Sequence, residues 1–505
     1  MGVVRGLTAG GVLTPQDLAR LERDNLRRVL EATGWQIAGD SRAARLLRMA
    51  PACDAGADRS VAARQVVFPV SACYGATTSR VRRDFTRTEE RLAQILFKNF
   101  RMLDPERDEI AEGHQILVEG DLIREVSERP IKASDASVID CGGRTLMPGF
   151  IDCHAHVVLS EVLIRQLENV PLTLMTARAV VLMRAMLDRG FTTIRDTGGA
   201  DWGLKAAVDQ GLIEGPRLFI SGRPIGPTGG HSDMRRRTDT GARCHCCHAL
   251  AFALATADGD AEVRKAVREE MRQGCDQVKI MMSGGVASPY DPLESLQFSP
   301  AEVAAAVEEA HAFGRYVCAH AYTVEAITRA AHAGVRTIEH GNLIDEPTAR
   351  LMASKGMLLT ANLVTYYAMR ERGSAFGMSS EMLAKNELVI EGGLRSLEIC
   401  KRAGVPVAYG TDLLGELQVE QSREFVLRSE VLSPLEIIRS ATLIGAQVLR
   451  KEGKLGCLRP GAFADLLVID GNPLKDLGLL AKPEKALVAI MKAGRFHRHR
   501  LRSSG

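Results

Sequence analysis

The sequence predicts an α/β protein, a (β/α)8 TIM barrel with short β-strands in the two segments that flank the barrel. Eight short apolar runs alternate with stretches of helical length, which is the pattern of repeated βα units. Eight such units in about 300 residues fit a closed barrel. Five of the eight runs, the first, fourth, fifth, sixth and eighth, carry candidate metal ligands near their carboxyl ends, where enzymes of this fold have their sites. The predicted strands are 149–156, 192–196, 217–221, 277–281, 316–320, 336–340, 357–361 and 405–412.

Helical stretches separate the predicted strands. Residues 172–189, 260–273 and 299–313 have helical length and an apolar stripe. The third stretch also has a clear start, since Ser299 can cap the helix, Pro300 suits its first position and Glu302 places an acid in the first turn.

Residues 1–90 differ in pattern from the rest of the chain. Residues 14–49 contain two helical patterns and resemble the Fis-type helix-turn-helix that ends many bacterial transcription activators. Such a module needs a recognition helix for the major groove, but small residues follow Met49 where that helix should begin. We therefore expect an extension that is partly helical and otherwise disordered. A DNA-binding regulator with a ligand-sensing barrel is the less favoured alternative.

Short strands with Gly or Asp turns occupy both flanks of the barrel, which is assigned to residues 148–446. The first flank is 91–147 and the second, including a basic tail, is 447–505. If the two flanks formed two unrelated β structures, several of their strand edges would remain unpaired. The basic run 495–500 is expected to be solvated. The predicted flanking strands are 94–100, 115–120, 122–126, 464–470 and 486–491.

The stretch from Met147 to His156 ends in two histidines that are one residue apart. In a strand, residues two apart point to the same side, so His154 and His156 can reach one metal ion together. Neutral imidazoles are common ligands of divalent transition metals.

Four further residues lie at the ends of later strands: Lys279, His320, His340 and Asp412. A histidine pair, one lysine, two single histidines and one aspartate, in that order, resemble the amidohydrolase superfamily. The resemblance covers roughly residues 93–498. It is nearest to the branch of imidazolonepropionase-like hydrolases and prolidase-type dipeptidases, and it implies that the two flanking segments pair into one sandwich.

The resemblance implies a binuclear metal centre. His154, His156 and Asp412 would hold one ion, and His320 and His340 the other. Lys279 would react with carbon dioxide, because an ammonium group has no lone pair for a metal, and the resulting carbamate would bridge the ions. Zinc suits this donor set. Two ions would acidify a bridging water and polarise the substrate carbonyl, and Asp412 would move the proton to the leaving nitrogen.

The resemblance also suggests a substrate class. His231, on the loop after the third strand, and Tyr322 are similar to this branch's contacts to a substrate carboxylate, to which both side chains can donate hydrogen bonds. We therefore expect a hydrolase that cleaves the amide bonds of small molecules, either dipeptides or N-acyl amino acids, through a metal-bridging hydroxide. Hydrolysis of a cyclic amide, as in imidazolonepropionase, is the alternative.

Net charge and composition limit the binding partners and the cellular location that the sequence predicts. A net charge of +3 is too small to imply a polyanionic partner such as nucleic acid. No run of 18 apolar residues predicts a membrane span, and no signal peptide is recognisable, so a cytoplasmic protein is expected. The 11 cysteines are expected to be free thiols, including those in the run 244–248, which lacks the spacing of a zinc finger. Homo-oligomer formation is left open.

Overall fold

Strands and helices alternate along most of the chain, as the sequence predicts. The computed structural model describes residues 93–239, 253–288 and 290–501. The strands are β1 (Gln94–Met102), β2 (Gln115–Glu119), β3 (Leu122–Ser127), β4 (Ser137–Pro148), β5 (Phe150–Ala155), β6 (Phe191–Asp196), β7 (Arg217–Ile220), β8 (Ile225–Gly226), β9 (Ala255–Thr256), β10 (Val278–Met281), β11 (Val317–Ala321), β12 (Thr337–His340), β13 (Leu358–Ala361), β14 (Val407–Tyr409), β15 (Leu466–Ile469), β16 (Leu487–Lys492) and β17 (Arg495–His499).

Helices follow most of the barrel strands. The α-helices are α1 (Leu172–Asp188), α2 (Trp202–Asp209), α3 (Gly259–Arg272), α4 (Pro300–Ala312), α5 (Val324–Ala333), α6 (Glu346–Ser354), α7 (Val364–Arg372), α8 (Ser380–Ala403), α9 (Glu424–Arg428), α10 (Pro434–Ser440), α11 (Leu443–Val448) and α12 (Pro483–Ala486). Short 3-10 helices cover Ile164–Asn169, Gly373–Phe376, Gly415–Arg423 and Leu477–Leu479. Within the described part of the chain, no helix is long and apolar enough to cross a membrane.

Two sequence predictions concern residues outside the described ranges. They are the partly helical extension of residues 1–90, with its helix-turn-helix-like stretch, and the cysteine-rich run 244–248. The six cysteines inside the described ranges are all buried and free.

Both flanking segments contribute to one seven-stranded sheet, in the order β17-β16-β15-β4-β1-β2-β3. Strand β4 joins the two segments, because it pairs with β1 on one side and with β15 on the other. The sequence did not predict β4, since Gly142 and Gly143, both with positive φ, interrupt its apolar pattern. Buried residues from both segments, such as Phe97 and Leu466, share one core below the sheet.

The prediction that residues 495–500 form a solvated tail is wrong. Residues Arg495–His499 form β17, which pairs with β16 in antiparallel fashion. Phe496 packs against Phe97 with ring centroids 6.1 Å apart, and Arg498 donates a 2.9 Å hydrogen bond to Asp188. A charged run therefore covers the edge of the sheet, which is how many edge strands avoid pairing with other chains.

All eight predicted barrel strands are present, each within one to three residues of the predicted bounds. They run parallel in two sheets, β5-β6-β7 and β14-β13-β12-β11-β10-β8-β9, the second of which also includes the two-residue strands β8 and β9. The amide of Asp412, just after β14, donates to the carbonyl of His154 in β5 at 2.7 Å. The amide of Asp276, just before β10, donates to the carbonyl of Ile220 in β7 at 2.8 Å. These bonds connect the two sheets on both sides, and the fold is the predicted TIM barrel.

Two helices show how individual residues hold the helices around the site in place. Ser299 caps the start of α4, as predicted, and Glu302 completes a reciprocal capping box with it. The longest described helix, α8, is held against the loop after β12, where Asn342 donates a 2.8 Å hydrogen bond to the carbonyl of Val389. Gly392 makes this approach possible, since a Cβ there would lie 2.2 Å from the carbonyl oxygen of Asn342.

Candidate active site

The eight predicted site residues line one cavity at the carboxyl ends of the barrel strands: His154, His156, His231, Lys279, His320, Tyr322, His340 and Asp412. Seven of them lie in or directly after barrel strands, because a parallel barrel gathers its strand ends on one face. His231 comes from the loop after β8.

The two histidines of β5 both direct one ring nitrogen at Asp412. Nε2 of His154 lies 3.3 Å and Nε2 of His156 lies 3.0 Å from Oδ1 of Asp412. The opposite nitrogen of each ring is held by an acceptor. Nδ1 of His154 is 3.0 Å from Glu339, and Nδ1 of His156 is 2.9 Å from the carbonyl of Gly198. The rings are therefore fixed in orientation with one nitrogen turned to the cavity.

His320 and His340 approach each other in the same way. Nδ1 of His320 lies 2.7 Å from Nε2 of His340. The outer nitrogen of His320 is 3.0 Å from the carbonyl of Gly284, and that of His340 is 3.1 Å from Oδ1 of Asn362. Burial, together with the neighbouring imidazoles and Lys279, holds the pKa of both rings well below the usual range. Both rings are therefore neutral at physiological pH and offer lone pairs.

One donor atom each from His154, His340 and Asp412 lie within 4.8 Å of one another. This spacing is what a single small cation requires of its ligands. His340 and Asp412 also adopt positive φ angles of 79° and 52°. Left-handed backbone is costly for residues other than glycine, and it concentrates at functional sites.

Asp412 is surrounded by histidines. Burial acts to raise its pKa, but the imidazoles of His154, His156 and His340 outweigh that effect and hold the pKa well below the usual range. Asn362 adds a 3.2 Å hydrogen bond to Oδ2. The carboxylate is therefore ionised at neutral pH and can accept a proton.

Lys279 is buried in β10, with 2% of its surface exposed. Desolvation lowers the pKa of its amine below the usual value, although nearby carboxylates oppose the effect. Among the described residues, none is hydrogen-bonded to this amine, in contrast to most buried polar groups. The amine lines the cavity together with the histidines.

A buried ion pair below the histidines was not predicted. Arg195 of β6 donates to both carboxylate oxygens of Glu339 at 2.7 Å, and Glu339 in turn holds His154. Burial would raise the pKa of Glu339, but Arg195 and His154 hold it far below the usual range. Both charged residues interrupt predicted apolar strands, and that interruption is the sequence signal that could have found them.

Asp152 is a second unpredicted carboxylate beside the site. It accepts hydrogen bonds from the amide of His154, at 3.1 Å, and from the hydroxyl of Thr411, at 2.6 Å. The side chain of Gln421 donates a third, at 2.9 Å. Asp152 therefore connects the end of β5, where His154 lies, to the segment after β14 that carries Asp412.

The ring of His231 packs against the loop that follows β10. The ring lies directly on Gly285, where a Cβ would be 2.0 Å from Cε1 of the ring, and stacks on His320 at a centroid distance of 4.3 Å. Nδ1 lies 2.7 Å from the hydroxyl of Ser288. The amide of His231 donates to Gln297 at 2.9 Å. Burial lowers the pKa of His231, so the ring is neutral at physiological pH.

Tyr322 stacks on His340, with ring centroids 4.8 Å apart. Its hydroxyl is 3.0 Å from that of Tyr366, which lies 2.9 Å from Nδ1 of His340. Tyr366 was not predicted to be part of the site, because the sequence of α7 carries no pattern that shows which of its aromatic residues faces inwards. Burial raises the pKa of both phenols, so they remain protonated donors.

A parallel barrel whose carboxyl face gathers histidine, lysine and aspartate side chains in one cavity has its candidate site where TIM-barrel enzymes have theirs. The amidohydrolase family model matches residues 145–496. The chain is 31% identical to the ochratoxinase of Aspergillus niger over 364 residues, which are 70% of this chain and 75% of that protein. A solved amidohydrolase is 51% identical, with a TM-score of 0.80, and covers 81% of this chain and 100% of its own. A prolidase solved in complex with N-methylphosphonate-L-proline is 45% identical, with a TM-score of 0.79 and the same coverage.

The chain therefore belongs to the amidohydrolase family. It is a hydrolase that acts on carbon–nitrogen bonds, and amide hydrolysis is the chemistry that its relatives support.

Proposed function

We propose that the protein hydrolyses the amide bond of dipeptides or N-acyl amino acids that carry a free carboxylate on the leaving side. The observation that carries the proposal is that a cluster of imidazole, amine and carboxylate side chains and two hydrogen-bond donors, His231 and Tyr322, line one cavity. The 45% identical prolidase was solved with a ligand that contains L-proline, which supports an amino acid as the leaving group.

The donor set fits two divalent metal ions, and zinc suits its imidazole and oxygen atoms. His154, His156 and Asp412 would hold one ion, and His320 and His340 the other. Each of the four imidazoles has its second nitrogen fixed by a hydrogen-bond acceptor, as metal-binding histidines usually do. Such ions, when bound, would polarise the substrate carbonyl and acidify water.

Lys279 would bridge the two ions as a carbamate. Its unprotonated amine attacks carbon dioxide, forms the new N–C bond and releases one proton, leaving a carboxylate-like group with two oxygens. Burial favours the unprotonated amine, because it lowers the pKa of Lys279.

Asp412 would accept the proton from water and pass it to the leaving nitrogen. The phenol of Tyr322 and the ring of His231 would donate hydrogen bonds to the substrate carboxylate. For a neutral His231 this requires that the Ser288 hydroxyl donate to Nδ1, at 2.7 Å, and not to the carbonyl of Gly285, at 3.2 Å. The proton of the ring is then on Nε2. An anionic substrate favours this tautomer.

The test compares kcat/KM for a hydrophobic dipeptide and for its C-terminal amide, in the wild type and in Tyr322→Phe. The wild type should strongly prefer the free acid, since an unpaired buried donor costs roughly 1–3 kcal/mol. Tyr322→Phe should weaken this preference and keep the metal content, because the phenol is not a ligand. Equal rates for acid and amide in the wild type would contradict the proposal, and hydrolysis of a cyclic amide would then become the leading alternative.

A further inference from the structure

Lys385, on the second turn of α8, is buried although it lies outside the cavity, with 8% of its surface exposed. Its ammonium donates to three backbone carbonyls, those of Gly285, Ser288 and Asp291, at 3.3, 3.1 and 2.7 Å. Within the described ranges this ammonium makes no ion pair. Lysine is rarely buried without a partner charge, and here its three donors are all directed at one loop about a hundred residues earlier in the chain.

That loop, residues 283–288 and 290–297, supports the ring of His231 from three sides. Gly285 lies under the ring, Ser288 is hydrogen-bonded to Nδ1, and Gln297 accepts from the backbone amide. Asp291 connects these parts, since its carboxylate accepts from the amide of Gly285 at 3.1 Å and from Gln297 at 3.2 Å. The position of His231 is therefore set by the position of the loop.

Asn386, the next residue of α8, holds the opposite wall of the cavity. It is fully buried, and its side chain donates a 2.9 Å hydrogen bond to the carbonyl of Tyr366. The hydroxyl of Tyr366 in turn contacts the hydroxyl of Tyr322 and the ring of His340. Two consecutive residues of one helix thus reach both walls, and neither lines the cavity itself.

We propose that Lys385 is a positioning residue that fixes the distance between His231 and the rest of the site, and so sets the preference for substrates with a free carboxylate. Asn386 positions Tyr366, which contacts both Tyr322 and His340, and so supports turnover of either kind of substrate. The substrate-related part rests on the proposed function, in which His231 and Tyr322 bind the carboxylate. The structural part does not, because the hydrogen bonds of Lys385 hold the loop after β10 whether or not a substrate is bound.

The first experiment compares Lys385→Met with Lys401→Met, which removes an ammonium from the same helix where it pairs with Glu436 on the surface. Lys385→Met should raise KM for the free-acid dipeptide on the order of tenfold and leave kcat/KM for the amide within about threefold. Lys401→Met should change neither. An equal loss for acid and amide in Lys385→Met would overturn the specificity role.

Two further variants separate positioning from general damage. Ser288→Ala removes the hydroxyl between the loop and His231 and should reproduce the rise in KM even if Lys385→Met folds poorly. Asn386→Ala should lower kcat for both substrates alike, because Tyr366 contacts His340 as well as Tyr322. If Ser288→Ala leaves the KM for the free acid unchanged, the route from Lys385 to His231 is wrong.

Hydrogen exchange of the ligand-free protein tests the structural part without any substrate. Lys385→Met should speed amide exchange in the loop after β10 by roughly tenfold or more, while exchange in β11 and β12 stays as in the wild type. Unchanged exchange in that loop would overturn the proposal. Faster exchange together with equal wild-type rates for acid and amide would keep the positioning role and reject the proposed substrate instead.

Discussion

The floor and the mouth of the cavity are held in different ways. The floor consists of the strand-end residues, including His154, Lys279 and Asp412, and rests on buried charges such as the Arg195–Glu339 pair. The mouth consists of His231, Tyr322, Tyr366 and their loops, and is held by hydrogen bonds, by ring stacking and by α8, whose Lys385 ammonium donates to backbone carbonyls without an ion pair within the described ranges.

This difference assigns the chemical step to the floor of the cavity and substrate specificity to its mouth. Floor residues are fixed by neighbouring strands, so their positions follow once the barrel forms. Mouth residues depend on contacts between distant segments, such as the loop after β10 and α8, and small shifts there are compatible with the fold. Changes in the floor should therefore abolish turnover or stability, whereas changes in the mouth should alter which substrate is used.

The largest effect is expected at the floor, in Lys279→Ala. The variant should lose bound metal, measured by elemental analysis, and kcat/KM should fall by roughly a thousandfold, as when an essential electrostatic element is removed. Added acetate or formate should partly restore both, since a small carboxylate can occupy the place of the carbamate. Retention of two tightly bound metal ions in this variant would contradict the bridging role.

Glu339→Gln should destabilise the floor as a whole. It leaves Arg195 buried without its partner charge, which costs roughly 3–5 kcal/mol of the free energy of unfolding. The matched control is Glu371→Gln, which breaks an exposed pair with Arg423 and should cost about 1 kcal/mol or less. Denaturant unfolding of the two variants checks the comparison, and similar losses would show that the buried pair is no more important than a surface pair.

The same pair predicts a pH dependence. The pKa of Glu339 is lower in the folded protein than its ordinary value of 4.5, so the unfolded chain binds a proton more readily. Its contribution is therefore complete above about pH 4.5 and is lost progressively as the pH falls below that value. The difference in stability between the wild type and Glu339→Gln should shrink in the same range, and a difference that grows on acidification would contradict this assignment.

Gly285→Ala should act on the mouth only. The added Cβ would meet the ring of His231, so the ring must move while the strand ends stay in place. We expect kcat/KM for the free-acid dipeptide to fall about tenfold, in line with the loss of one hydrogen bond to a charged group, with unchanged metal content. An equal loss of metal would show that floor and mouth are not independent.

The smallest effect is expected from deletion of residues 1–88. Floor and mouth both belong to residues that follow the change in sequence pattern near position 90. The truncated protein keeps every residue assigned to the floor and the mouth and should therefore retain kcat/KM within about twofold. A large loss of turnover in the truncation would show that the extension takes part in the function.

Local sequence patterns were sufficient for the barrel and for the ends of its strands. Each barrel strand is a short apolar run, and the histidines, Lys279 and Asp412 follow from position in those runs, since parallel strands must end on one face. Patterns failed where the strand signal is weak. Glycines interrupt β4, and β17 is so rich in arginine and histidine that it resembles a solvated tail.

The sequence by itself determined the fold class, because periodicity along single strands and helices shows the repeated βα units. The family and the residues at the floor followed from the order of the histidines, Lys279 and Asp412 along those strands, which resembles that of a known superfamily. Only the tertiary structure decided what holds them. Arg195 meets Glu339 across 144 positions, and Lys385 meets Gly285 across 100. The sequence around a charged residue in an apolar run, or around a lysine on a helix, does not differ between a solvated side chain and a paired one. Its partner is chosen only when the barrel closes and the helices pack around it, since burial makes an unpaired polar group costly.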